Sequence, residues 1–358
     1  MSKNETKINV DVNDGQTIGN AQNVNIIYQN TDYEKLVPLI KEIANSELEK
    51  YTANAKVLAF ERHDELINML LSKVSNLEHS LEELEKAFST PSMQFDFYEA
   101  DKAYIKSGDK NKLDMLSSII SERIRCVDET LKQIAISESI KVVPLLNEKL
   151  LDVLAFVFLL GHVTRKGIRS LDDLTVYLRR FVLPYCSNAL KVNDFDIQHL
   201  DYTRCSVKSI GSKSIVKILL NIYSSAFFLP INKVEIEGVK HGNKTLAEWF
   251  PKLFVARYGQ YYFNVFDRQS CFEIIEANPF GASKSVEETA KDFFQSHLPK
   301  ETDVEGIIAE KDPDLKIIFD CWNKGCANLV LSSVGIAVAI IHINNKTNMG
   351  LNLDTWLS

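Results

Sequence analysis

The chain has 358 residues, 45% of them apolar and 25% charged, with a formal net charge of -7. That is enough apolar material for one large or two ordinary cores, and the acidic balance excludes a dedicated nucleic-acid coat, which needs a cationic surface. Six cysteines scattered along so long a chain fit free thiols in a reducing cytoplasm, and the start MSKNETKINVDVNDGQ has no apolar export segment.

Residues 1–31 form a polar arm. Lys7 to Val12 alternates polar and apolar residues, Asn13-Asp14-Gly15 is a turn signal, and Ile18 to Tyr28 is a second extended, Asn-rich stretch. An isolated hairpin is marginal, so its apolar positions Ile8, Val10, Val12, Ile18, Val24, Ile26 and Tyr28 are the candidate partner-binding residues. A disordered polar tail is the alternative.

From Tyr33 the period becomes helical. Leu70, Val74, Leu77, Leu81, Leu84 and Phe88 are spaced 4-3-4-3-4, a short heptad-like seam on one long helix from Ala53. Thr90-Pro91-Ser92 breaks it. Helices are then predicted over Gln94 to Tyr104 and Lys112 to Ser139, with a boundary at Pro144 and Asn147 capping Glu148 to His162. Leu171 to Leu183 reads as a helix ending at Pro184, and Lys213 to Phe228 as another. Val234 to Gly238 and Tyr261 to Phe266 read as strands, Val286 to Ser296 and Leu315 to Asn323 as helices. Ala327 to Ser332 reads as a strand leading into a helix from Val334 to Asn345, and Asn352 to Leu357 as an extended end.

The architecture expected is mainly α: a multi-helix bundle with a short N-terminal β-hairpin arm and a few small strands in the C-terminal half. Its division is arm 1–31, helical domain 32–165 and mainly helical domain 166–358. The apolar runs Leu150 to Val163, Leu219 to Ile231 and Leu329 to Ile343 fall short of the ~20 residues that span a bilayer, so core helices are expected.

No catalytic, cofactor or metal constellation stands out. Gly238 to Thr245 misses a phosphate-binding loop because Asn243 separates Gly242 from Lys244. Cys321 and Cys326 lack the second ligand pair of structural zinc, and the histidines show no metal spacing. Asp314-Leu315-Lys316 has no identifiable second acid for a nuclease core. One feature stands: ten Lys or Arg against five Asp between Thr164 and Lys217. Arg165, Lys166, Arg169, Arg179 and Arg180 form the candidate basic patch, with Tyr177, Tyr185 and Tyr202 interleaved as base-stacking candidates.

Gln94-Phe95-Asp96, Ala103 to Asp109, Leu116 to Arg123, Glu138-Ser139, Pro144, Leu150 to Leu154 and Phe158 to Leu160 together resemble a family of uncharacterised bacterial proteins catalogued under locus-tag names. Leu331 to Ala337 and Leu353 to Leu357 extend the likeness. It is carried by packing residues and implies a shared helical fold with no inherited active site. The layout is also loosely similar to abortive-infection alpha proteins of bacteria, which implies a role in phage defence. The leading functional reading is a non-enzymatic cytoplasmic helical interaction or effector protein, partnered by another protein or by its own copies through the arm. The alternatives are a defence effector that disrupts membranes once its apolar helices are released on activation, and a nucleic-acid binder using residues 164–217.

Overall fold

The computed structural model describes residues 53–76, 81–126, 130–240, 254–257, 260–263, 270, 273 and 284–357. The arm, with Ile8, Val10, Val12, Ile18, Val24, Ile26 and Tyr28, lies outside the described residues, as do Leu77 and most of the Gly238 to Thr245 loop.

The first half is built of α1 (Ala53–Asn76), α2 (Leu81–Phe88), α3 (Pro91–Ser107), α4 (Lys110–Ile124), α5 (Leu131–Val142) and α6 (Glu148–Gly161). Local chemistry sets their ends. Thr90 accepts from the Met93 amide with Pro91 in the first turn, Asp109 caps α4, Thr130 caps α5 and Asn147 caps α6. Gly108 closes α3 in the left-handed region at φ 63, where a Cβ would lie 2.4 Å from the Arg62 guanidinium. The seam residues Leu70, Val74, Leu84 and Phe88 are buried in the body's own core. Lys112 to Ser139 is covered by two helices, α4 and α5, with Arg125 at the end of the first and Thr130 capping the second.

Beyond α6, α7 (Leu171–Tyr177) runs through a π turn, Leu178–Val182, into α8 (Leu183–Ala189). The helix expected to stop at Pro184 therefore continues. The wider turn takes up a proline that has no amide to give, placing it in the first turn of α8. Next come α9 (Asp194–Tyr202), β1 (Ser206–Lys208), α10 (Ile215–Ile222), α11 (Ser224–Phe227) and α12 (Lys233–Lys240). Val234 to Gly238, expected as a strand, is part of helix α12. Asn232 and Glu235 exchange side-chain-to-backbone bonds at 2.8 Å, a capping box that outweighs the two-residue alternation.

The chain continues through β2 (Phe254–Arg257), β3 (Gln260–Phe263), α13 (Lys284–Ser296), α14 (Glu301–Lys311) and α15 (Lys316–Lys324). It ends with β4 (Leu329–Leu331), α16 (Ser333–Thr347) and α17 (Asp354–Leu357). The terminal piece expected to be extended thus contains a short helix. Its Trp356 lies edge-on to Phe158 and donates to the His162 carbonyl at 3.1 Å. The described strands form two antiparallel pairs: β1 with β4, Ser206 opposite Leu331, and β2 with β3, Phe254 opposite Phe263. Phe228, Phe263 and Phe294 close a small aromatic core beside the second pair.

The centre is made by α6 and α16. Every residue of α6 from Leu150 to Leu160 is buried, and α16 buries Ala337 to Ile343 against α4, α5 and α6. These lie in two of the three apolar runs read from sequence and are core; the third, Leu219 to Ile231, buries Leu219, Leu220, Tyr223, Phe227, Phe228 and Ile231 but leaves Leu229 47% exposed. No helix among the described residues is long and apolar enough to cross a membrane. The start of α16 is seated by Gly335, whose Cβ would meet the Cys205 carbonyl at 1.9 Å, so only glycine permits that approach. Ser332 bridges the same spot, its amide donating to Cys205 and its hydroxyl to the Arg204 carbonyl.

Candidate functional site

The densest meeting of ionisable groups lies between α6, α8 and α16. Asp152 is fully buried in the middle of α6. Its Oδ1 receives His342 Nε2 at 2.7 Å and Lys346 Nζ at 2.8 Å, while its Oδ2 receives Asn188 at 2.7 Å and Lys346 at 3.0 Å. Burial pushes the carboxyl up, but the bonds from His342, Lys346 and Asn188 outweigh it and hold Asp152 below the usual carboxylate value. The Tyr185 ring sits edge-on to His342 and under the Lys346 ammonium, 5.1 Å away. His342 and Lys346 are four apart on one helix and so face α6 together.

An ionised carboxylate has about four acceptor positions, and here protein donors take all of them. The carboxylate has none left for a substrate proton, so the arrangement is suited to tying helices together rather than to general-base chemistry. A second buried pair sits between α3, α4 and α5. Arg123 Nε donates to Asp96 Oδ2 at 2.7 Å and another guanidinium nitrogen to Ser92 at 3.0 Å, with a further bond to the Cys126 carbonyl. Ser137 adds a bond to Asp96 at 2.6 Å.

The thiols are structural. Cys126, Cys186, Cys205, Cys321 and Cys326 are all free and buried, and burial pushes Cys205 up to about 11 and Cys326 up to about 12. Cys321 donates to the Cys186 carbonyl at 3.3 Å. No cluster of metal-ligating side chains occurs among the described residues.

The five residues of the candidate basic patch are all exposed, but they divide. Arg165 and Arg180 both lie over the Phe181 ring, 5.2 and 5.1 Å from its centroid. Arg179 turns away and forks onto Asp312 at 2.6 Å, with a further bond to Asp314 at 2.8 Å. Asp314, considered as a nuclease acid, is thus an ion-pair partner. Lys166 and Arg169 lie on the loop before α7. Tyr177 and Tyr185 are buried and are corrected as base-stacking candidates, since no base can reach their faces; Tyr202 is 77% exposed.

Tyr202 belongs to an exposed surface built by α9 and β1. On α9, Ile197 and Leu200 face the core, while Phe195 and Tyr202, seven apart and on one stripe, are 80% and 77% exposed. β1 packs beside α9, with Lys208 Nζ 3.9 Å from Asp194, and it adds Val207, 54% exposed. His199 continues the stripe and bonds the carbonyl of Leu145, another exposed apolar residue, at 2.9 Å. Asp152 and His342 were equally missed. Their signal was a single charge inside an apolar helix, and histidine with lysine one turn apart at the end of another.

A family model matches residues 31–357, and the chain belongs to that family, known by a locus-tag name with no assigned activity. No curated protein and no solved structure matches the chain.

Proposed function

We propose that this member of the family is a helical interaction protein of a reducing compartment, the cytoplasm, acting through protein contacts rather than catalysis. The observation that carries this reading is the α9–β1 face, where Phe195, Tyr202 and Val207 stand together in solvent. Exposed aromatic side chains gathered on one rigid unit are what a protein-binding surface offers its partner. The saturated Asp152 carboxylate supports a structural use for the most elaborate polar cluster, and five buried free thiols support the compartment.

The partner we assign is a second copy of this chain. The alternating arm, Lys7 to Tyr28, has the pattern of a segment that adds to a strand edge, and β1 has one ladder partner, β4, among the described residues. The layout similar to abortive-infection alpha proteins supports phage defence as the setting.

The test is light scattering on three purified proteins: the full chain, a chain starting at Thr31, and Phe195→Ser/Tyr202→Ser. The expected result is an oligomer for the first and smaller species for the other two. One monomeric mass for all three would end the self-assembly reading.

A further inference from the structure

A cavity of about 440 Å³ opens beside the α9–β1 unit, where the end of β1, the start of α10 and the end of α15 meet. Three lysines line it: Lys208 from β1, Lys213 from the loop before α10, and Lys324 from the last turn of α15. Asp194 is the one acid on the wall, and its pairing with Lys208 is loose at 3.9 Å. The volume lies within the usual range of small-ligand sites.

The cavity's backbone is fixed before any ligand arrives. The Lys213 amide donates to the Ala327 carbonyl at 2.9 Å, and the Lys213 carbonyl accepts from the buried Trp322 indole at 2.6 Å. Ser209 is tied to the Asn328 carbonyl at 2.7 Å, and the Lys324 ammonium is held on the Leu190 carbonyl at 2.6 Å. Ser214 caps α10 by accepting from the Lys217 amide.

The cationic stretch read from sequence thus divides in space. Arg179 is neutralised on Asp312 and Asp314, whereas Lys208 and Lys213 converge with a lysine more than a hundred residues later. We propose that this cavity binds a small phosphate ester whose phosphate oxygens are met by the lysines. Self-assembly does not depend on it, so either proposal can fail alone.

Isothermal titration of the full chain with inorganic pyrophosphate and with ADP tests this. Both should bind saturably. Lys208→Glu/Lys213→Glu should weaken both by about ten-fold or more, whereas Arg180→Glu, on a different surface, should leave them unchanged. ADP binding at least as tightly as pyrophosphate supports the ester, and binding of pyrophosphate alone overturns it. The substituted lysines are on the surface, and unchanged circular dichroism and melting confirm folding. Absence of saturable binding, or binding indifferent to the lysine reversals, overturns the site. A single-stranded oligonucleotide that displaces ADP would overturn the small-ligand assignment in favour of nucleic acid.

Discussion

Asp96 and Asp152 are both carboxylates buried in the helical body, and they meet their cations in opposite ways. Asp96 is held by Arg123, a permanently charged and almost wholly enclosed guanidinium on a neighbouring helix, 27 residues away. Asp152 is held by His342 and Lys346, from 190 and 194 residues later, and the Lys346 side chain is still 29% exposed. The first is a local lock whose cation has no route to water. The second is a long-range tie whose cation can let go. Burial alone therefore does not set what a charge contributes; what matters is whether its partner has somewhere else to go.

That contrast predicts unequal losses. Arg123→Met strands a buried Asp96 and should cost roughly 3–5 kcal/mol in urea unfolding; a loss below ~1 kcal/mol would show that Asp96 finds other donors. Asp152→Asn should cost less, about 1–3 kcal/mol, because Lys346 can turn to solvent. Adding Lys346→Met to it should cost less than the two single losses summed, since the residues share one interaction.

Acid sharpens the comparison further. The folded state holds Asp152 below its ordinary value of 3.8, so the tie contributes fully above that pH and is lost as pH falls through the lower, folded value. Melting followed below pH 4 should therefore lose part of its slope in Asp152→Asn, with Asp312 and Glu65 supplying the rest, and keep it in Arg123→Met. His162 adds an earlier step. Burial, helped by the charge of Lys213, lowers it from 6.5, so the folded protein prefers the neutral ring and stability declines as pH drops below 6.5. His162→Gln should remove this step alone. The smallest effect on stability belongs to Phe195→Ser and Tyr202→Ser, within about 0.5 kcal/mol, since both side chains stand mostly in solvent. Light scattering should nevertheless register them, and a large drop in melting temperature would mean the rings are part of the core.

What the sequence discloses is what neighbours in the chain determine. The ends of α3 and α6 are written in Thr90-Pro91 and Asn147, because a cap acts within four residues. The same locality misled at Val234 to Gly238, where alternation suggested a strand and the Asn232–Glu235 exchange made a helix. The mainly helical class and the core nature of the Leu150 run were legible, since apolar periodicity reports burial directly. The Asp152 tie was not, because its donors come from α8 and α16, elements that only the completed fold brings beside α6. Nor was the lysine cavity, whose third cation arrives on α15. For the α9–β1 face, periodicity cannot say which side of a short helix will remain uncovered.

The position of α16 has a consequence for how the molecule is made. Helix α6 is almost wholly apolar on its buried surface, yet the helix that covers it carries His342, 190 residues downstream of Asp152. At ordinary rates of synthesis the ribosome needs roughly 10–40 s to deliver that stretch. For that time a nascent chain presents α6 bare on one side, with Asp152 lacking both its donors from α16. Newly made protein should therefore be an avid client of chaperones that bind apolar helices. Premature stops between Gly161 and Ser333 should yield chains that persist in that state and are degraded, even though the helices up to α6 have already been made.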